Sequence, residues 1–465
     1  MNNSVRLRLM LLLSILIVIL PATICNAGNN SANDVLKIST FDVDATPPVG
    51  TNLAYQPMIN KWDLGLRARG VVLQGSGLPI VLCSVDWICI NNDSHDAFRE
   101  ALAEAAGTVP DRVAVHTVHQ HDAPMSDFGA EKYLKDAGMD PMAYDGTFQR
   151  EVIRRLEVAI RSALENPKTV THIGLGQAEV YKVASNRRIL GPDGKVRASR
   201  SSSCRDSALQ AEPEGLIDPM VSLISFWNEE QPVAVLSYYA THPQSYYLTG
   251  VANPDFPGIA RFYRQLAVPA ALHVHFNGAG GNIAAGKYND GSKERRGILA
   301  ERVADGMKRA WESTIKQPAT AQDVDWQIDQ VSLPPASFIQ DLEKEIKKGE
   351  YRYVTNNLFK VVWLNRIKEG KKLNVNCLSI GNARILFMPG ELCIEYQLAA
   401  KQMRPDLFVA MAAYGDCGTG YICTAKAYEE GGYEAGPASA VTPESEAILM
   451  KSMHKLLQKN NQKVN

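Results

Sequence analysis

Three histidines stand close together in His116-Thr117-Val118-His119-Gln120-His121. Imidazole is the commonest protein metal ligand and titrates near neutrality, so such a group offers a metal site or an acid/base pair. The Val-rich residues 112–118 read as a strand. Side chains at i and i+2 of a strand share a face, which would turn His119 and His121 toward one site and His116 away from it. Asp122-Ala123-Pro124 then ends the strand, and sites are commonly built at such edges. The plain alternative is a strand end that carries histidines by chance. His242, in Thr241-His242-Pro243 behind an apolar run, reads alone as structural. His273 and His275 repeat the His-x-His spacing inside an apolar strand and read first as buried residues. The Gly-rich residues 277–282 lack the Gly-Lys-Ser/Thr ending of a phosphate loop. Their glycines suit a close backbone approach to a ligand, or simply a tight turn. Glu391 follows Pro389-Gly390 at the start of a helix, where a carboxylate is favoured in any case. Tyr421 and Tyr433 bracket a loop rich in Gly and Glu, and a lone Tyr usually packs.

The elements that must hold these groups alternate along the chain. Strands are expected at residues 70–74, 78–86, 112–118, 173–183, 220–226, 233–239, 271–276 and 326–333, with a hairpin at 374–387 around Gly381-Asn382. Helices are expected from an N-cap at Ser94 to Ala106, and at residues 148–164, 259–266, 297–314 and 337–348. Two more are expected from Glu391 to about Gln402 and, behind Thr442, at 443–457. Residues 190–217 read as a long polar loop or insertion, a kind of segment that is often functional. No Pro- or Ser-rich linker and no internal repeat divides the sequence. The order implies an α/β (mixed α+β) fold, a single large domain with mixed β-sheets flanked by helices.

The composition is that of a globular protein, with 465 residues, 45% hydrophobic, 21% charged and a formal net charge of −1. A disordered chain and a small disulfide scaffold are excluded. The near-neutral balance argues against nucleic-acid binding. Residues 1–27 read as a signal peptide: Arg6 and Arg8, an apolar run broken by Ser14, and a small-residue site ending at Ala27. The mature chain would be residues 28–465, exported to the periplasm or secreted, with no transmembrane segment after cleavage. Seven cysteines remain, at 83, 89, 204, 377, 393, 417 and 423, and an odd count leaves at least one free thiol. Cys83 and Cys89 read as buried small hydrophobes, and Cys417 and Cys423 could close a short loop.

Taken in order, several segments resemble the catalytic domain of the neutral/alkaline (non-lysosomal) ceramidase family. These are residues 42–50 (DVDATPPVG), Leu66-Arg67-Ala68-Arg69, and His119-Gln120-His121-Asp122-Ala123-Pro124, beside the family's His-Thr-His-Ser-(Gly/Ala)-Pro. Asn186-Arg187, residues 238–242 with Asp255-Phe256-Pro257-Gly258, residues 276–283, Pro389-Gly390-Glu391, and Tyr421, Tyr428 and Tyr433 follow. The resemblance implies a Zn2+ held by His119, His242, Glu391 and Tyr421, with His121, Arg187 and Tyr433 serving the substrate carbonyl and proton transfer. It implies hydrolysis of an N-acyl amide, ceramide by default, by metal-activated water.

Two departures bear on substrate. The family carries a Ser after the Gly-Asn turn, where this chain reads Ile283-Ala284-Ala285, which excludes a serine-acyl step there. The family's ceramidases add a C-terminal immunoglobulin-like domain, and only a helix is expected after Tyr433 here. Two other readings therefore stand beside ceramide: the same zinc site acting on an acylated sugar, ester or lactone, and a non-catalytic extracellular binding protein on the same fold. The expected partner in each case is a small molecule or lipid.

Overall fold

A computed structural model describes residues 34–61, 64–75, 77–347 and 357–458. The expected signal peptide, residues 1–27, lies outside the described residues. The architecture is mixed α/β, as the order of elements implied, and is built on three larger sheets.

The first sheet orders its strands Val113–Thr117, Ile80–Val85, Arg67–Gln74, Leu36–Asp44 and Lys168–Val170. The second runs Leu272–Asn277, Gln231–Tyr239, Met220–Asn228, His172–Glu179 and Ile315–Pro318. The third runs Val324–Val331, Leu373–Ile380, Ala383–Phe387 and Phe408–Ala412. Each contains one parallel pair among antiparallel neighbours: Ile80–Val85 with Val113–Thr117, Gln231–Tyr239 with Leu272–Asn277, and Ala383–Phe387 with Phe408–Ala412. Strands covered on both faces read as unbroken apolar runs rather than alternating ones. All residues of Ile80–Val85 and of Ala383–Phe387 are buried.

The sheets face one another through a shared core that takes Ile38, Leu82 and Ala114 from the first, Ile224, Leu236 and Val274 from the second, and Leu378, Ile385 and Ala412 from the third. Helices cover the other faces. Asn92–Ala106 and Thr147–Leu164 lie on the first sheet. Asp255–Ala267 and Lys293–Glu312 lie on the second. Ile394–Met403 and Ser445–Gln458 lie on the third, and Leu358–Lys368 joins the same core while packing on helices Asn92–Ala106 and Phe338–Lys347. Helix Thr147–Leu164 shows why this works: Phe148, Val152, Leu156 and Ile160 recur every fourth residue and are all buried.

One buried ion pair ties the first layer to the second. Asp86, at the end of strand Ile80–Val85, takes both guanidinium nitrogens of Arg261 at 2.7 and 2.6 Å. It also accepts the Arg67 N–H at 2.9 Å and the Gln120 amide at 3.2 Å. Burial alone would raise its carboxyl, but Arg261 reverses this and holds it below the ordinary carboxylate range.

Several local expectations change. Ser94 is not the N-cap: the helix starts at Asn92, and the Ser94 hydroxyl instead accepts the Phe128 N–H at 2.8 Å, bridging to helix Phe128–Asp136. Residues 190–217 are not a loose loop. Arg188–Leu190 pairs with Val196–Ser199, and Ser207–Ala211 forms a short helix. Arg200, almost wholly buried, binds the segment together by donating to the carbonyls of Asn186, Leu209, Glu212 and Pro213. Glu391 does not open a helix. It sits on a two-residue strand, Glu391–Leu392, and the helix begins at Ile394.

Candidate metal centre

The carboxyl ends of the parallel strands converge, as ligand-bearing ends do in open α/β sheets. Val113–Thr117 leads to His119 and His121, Gln231–Tyr239 to His242, Ala383–Phe387 to Glu391, and Phe408–Ala412 to Tyr414 and then Tyr421.

His119 and His121 do meet at one site, with ring centroids 5.0 Å apart, but not through strand alternation. The strand stops at Thr117, and His119 adopts a left-handed backbone with φ 78°. Its N–H is held by the Trp87 carbonyl at 2.9 Å. This turn swings both rings inward. His116 points away as expected, into the core against Phe276 and Phe387, with Nδ1 on the Ala413 carbonyl. His273 and His275 stay in strand Leu272–Asn277, outside the site, and His275 Nδ1 bonds to the Ser237 hydroxyl at 2.9 Å.

The Gly-rich turn positions the rest, and its close approach is to protein backbone rather than to a ligand. The Gly280 carbonyl accepts from His242 Nδ1 at 2.9 Å, and the Gly281 carbonyl accepts from Arg187 at 2.6 Å. The Gly281 N–H donates to Leu392 O at 2.7 Å, and a Cβ on Gly281 would stand 2.6 Å from the Glu391 carbonyl. Asn282 accepts the Ile394 N–H at 2.8 Å and so fixes the start of the helix behind Glu391. Glu391 and Tyr421 are direct partners in a short parallel ladder, so backbone hydrogen bonds set their separation.

Around the centre, Glu391 Oε2 lies 3.2 Å from His119 Nε2 and 3.5 Å from His242 Nε2. The Tyr421 hydroxyl lies 3.3 Å from His242 Nε2 and 3.1 Å from Arg187 Nη2. One nitrogen from each of His119, His121 and His242 falls within 4.8 Å of the others. Arg187 is also paired with the buried Glu434 at 3.0 Å. The Tyr433 ring meets the Tyr421 ring edge-on at 5.6 Å and is largely exposed. Tyr55 stacks over His121 at 6.0 Å, and Tyr247 leans on both rings.

The donor set fits a metal ion. His119 Nδ1 faces the Ile88 carbonyl at 2.6 Å, and His242 Nδ1 faces Gly280 O. A carbonyl can only accept, so both rings carry a proton on Nδ1 and turn Nε2 inward, and burial keeps His242 neutral. Metal-ligating histidines are oriented in this way. Both Nε2 atoms face Glu391 Oε2, a buried carboxylate oxygen. A cation held among these donor atoms would stabilise the arrangement. The electrostatics agree. Burial would raise the Glu391 carboxyl, yet His119 and Arg187 hold it below its ordinary range. Burial pushes His121 and His242 well below the ordinary imidazole value and keeps them neutral. Burial raises the Tyr421 phenol, and the Arg187 guanidinium opposes that shift.

A cavity of about 440 Å3 opens onto His119, His121, Glu391 and Tyr421. Its wall is mixed: Ile88, Met125 and Phe359 are apolar, while Asn91 and Lys360 are polar. Burial lowers the Lys360 ammonium to about 8. A larger hollow of about 860 Å3 beside helix Thr147–Leu164 contains no histidine and lies away from the centre. Ala284, in a short strand opposite Ser185, is fully buried and carries no hydroxyl, as do its neighbours Ile283 and Ala285.

Sequence reasoning had not singled out Tyr414, Glu434, Tyr55, Tyr247 or Lys360. Tyr414 stacks on His119 at 4.6 Å and Glu434 anchors Arg187. Only the Tyr433-Glu434 adjacency carried any signal for them.

No protein-family model and no curated protein sequence matches the chain. Among solved structures, it is similar to the neutral ceramidase from Pseudomonas aeruginosa, with a TM-score of 0.64 and 15% identity over 91% of this chain and 74% of that one. A ceramidase complexed with C2 gives a TM-score of 0.64 and 14% identity over 91% and 75%. At such identities the likeness speaks to architecture: the chain has the fold of the neutral ceramidases.

Proposed function

We propose that the protein is a zinc-dependent hydrolase of an N-acyl amide, exported from the cell and acting on a ceramide-like lipid. The observation that carries this reading is the convergence of His119 Nε2 and His242 Nε2 on the buried Glu391 Oε2, at 3.2 and 3.5 Å, beside an open cavity. His119, His242, Glu391 and Tyr421 would hold the ion. When bound, zinc supplies an activated water and polarises the scissile carbonyl. The remaining work belongs to the chain's own side chains. His121, kept neutral by burial, can accept a proton at a ring nitrogen and return it to the leaving amine. Arg187, fixed by Glu434 and the Gly281 carbonyl, presents its guanidinium toward developing oxyanion charge. Tyr433 sits at the mouth, where its hydroxyl can reach the substrate carbonyl. With Ala284 in the strand beside the turn, the route is direct attack by water and not a serine acyl-enzyme.

Ile88, Met125 and Phe359 give an acyl chain an apolar wall, and the exposed rings of Tyr55 and Tyr433 line the same cavity, with Tyr247 behind Tyr55. A second reading, a more polar acylated substrate such as an acyl sugar, is favoured by Lys360 and Asn91 on the same wall. The test is metal analysis of purified protein followed by a paired assay of fatty-acid release from ceramide and acetate release from N-acetyl sugars. About one equivalent of zinc with release from ceramide supports the first reading. Release from sugars alone favours the second. Less than about half an equivalent under zinc-replete conditions overturns both.

A further inference from the structure

The Glu391–Leu392 and Tyr421–Ile422 ladder is continued by a cysteine on each side, Cys393 and Cys423. The Cys393 N–H donates to the Ile422 carbonyl at 3.1 Å, so the two chains stay in register there. The two Sγ atoms lie 2.8 Å apart, and both residues are fully buried. Among the described residues no second pair of sulfur atoms comes within hydrogen-bonding distance. Cys417, the partner that loop length suggested for Cys423, instead directs its thiol to the Gly415 carbonyl.

We propose that Cys393 and Cys423 are joined by a structural disulfide that clamps the segment carrying Glu391 to the segment carrying Tyr421. Neighbouring parallel strands lie about 4.8 Å apart, inside the Cα separation of about 4.4–6.8 Å that a disulfide accepts. Residues two apart on a strand share a face. The sulfur pair therefore stands on the side of the ladder that carries the Glu391 and Tyr421 side chains, about 6.6 Å further along it. Ala427 packs against the sulfurs, with Tyr428, Ala435 and Ala438 around them, so the link also anchors the segment that presents Tyr433 and Glu434.

The bond forms by exchange with a small-molecule disulfide such as oxidised glutathione. The thiolate of one cysteine attacks that disulfide and releases one thiolate, leaving a mixed disulfide. The second cysteine thiolate then attacks the protein sulfur of the mixed disulfide, closes the Cys393–Cys423 bond and releases the other. Two cysteine sulfurs are oxidised, one disulfide is reduced to two thiols, and the two protons end on those thiols. Because both sulfurs are buried in the fold, the exchange belongs to folding, before the chain closes over them.

The test begins with protein folded in the presence of oxidised glutathione, then denatured in N-ethylmaleimide without reductant and digested. The expected result is one linked peptide containing Cys393 and Cys423 that disappears on reduction, with neither cysteine alkylated beforehand. Full alkylation of both before reduction overturns the proposal. In a companion experiment, reductant during unfolding lowers the Tm of the wild type. The Tm of Cys393→Ala, Cys423→Ala and the double variant is already low and is unmoved by reductant. If one of these variants does not fold, the peptide map of the wild type decides alone. The inference rests on the two strands and not on the proposed reaction, so an inactive protein that shows the linked peptide leaves it intact.

Discussion

Replacing Asp86 with Asn probes how the first two layers hold the centre. The carboxylate accepts from both arms of Arg261, from the Arg67 N–H and from Gln120, which lies between His119 and His121 in the chain. Its side chain is fully buried, and that of Arg261 is 5% exposed. Asn keeps the shape but removes the charge, leaving a buried guanidinium without its counter-ion. Breaking one side of such a pair costs about 3–5 kcal/mol, whereas replacing both sides with apolar residues costs far less. The double variant Asp86→Asn/Arg261→Met should therefore recover part of the loss, with an interaction energy of about 2–3 kcal/mol. Unfolding entropy is about 2 cal/mol/K per residue, so a chain of this length loses about 1 °C of Tm per kcal/mol. Scanning calorimetry should show Asp86→Asn melting about 3–5 °C below wild type. Arg261→Met alone should recover on mild acidification, because the stranded carboxyl can then take up a proton. A single-variant Tm within about 1 °C of wild type, or strictly additive losses in the double variant, would refute the reasoning.

Three further outcomes follow from other parts of the molecule. Burial drives His116, His273 and His275 each down to about 3 from the ordinary imidazole value. They stay neutral in the fold while the unfolded chain binds protons below about pH 6.5, so stability rises with pH between about 3 and 6.5. Each contributes about 1.4 kcal/mol per pH unit there. Tm measured from pH 7 to 5 should fall progressively, and His275→Gln should fall less steeply than wild type. Gly281→Ala pushes a methyl onto the Glu391 carbonyl and, under the proposed zinc site, should lower zinc content while circular dichroism stays native, because the displaced strand is only two residues long. Under the proposed reaction, Arg187→Lys should keep its zinc but lose about 100-fold in kcat, since the shorter lysine cannot bring its nitrogen to the place where Arg187 Nη2 meets the Gly281 carbonyl, Tyr421 and Glu434.

Much of this was legible before the fold was known, and the rest was not for identifiable reasons. Apolar runs such as residues 80–85 announce buried strands because the chemistry of a doubly covered strand is local. The His-x-His at 119 and 121 was also visible, yet the reason offered for its convergence was wrong: a left-handed turn does what strand alternation was expected to do. Glu391 looked like an ordinary helix start because its ladder partner, Tyr421, is remote in sequence. The order inside residues 190–217 was hidden for the same cause, since Arg200 organises it through carbonyls and leaves no side-chain pattern to read. Resemblance to a family supplied the set of site residues. It did not supply Tyr414 or Glu434, which support that set from behind.

The backbone of His119 has a consequence for how the protein changes over evolutionary time. With φ at 78°, this position suits Gly best, and any L-residue is held there at a cost on the order of 1 kcal/mol, least for Asn, Asp and His. Glycine at 119 would relax the turn and remove the imidazole together. The same substitution would empty the buried space that the imidazole fills between Tyr414 and the Ile88 carbonyl, so backbone and packing pull in opposite directions here. Change at this position is thus confined from two sides: few side chains tolerate the backbone, and the residue that relaxes it leaves a hole beside Tyr414.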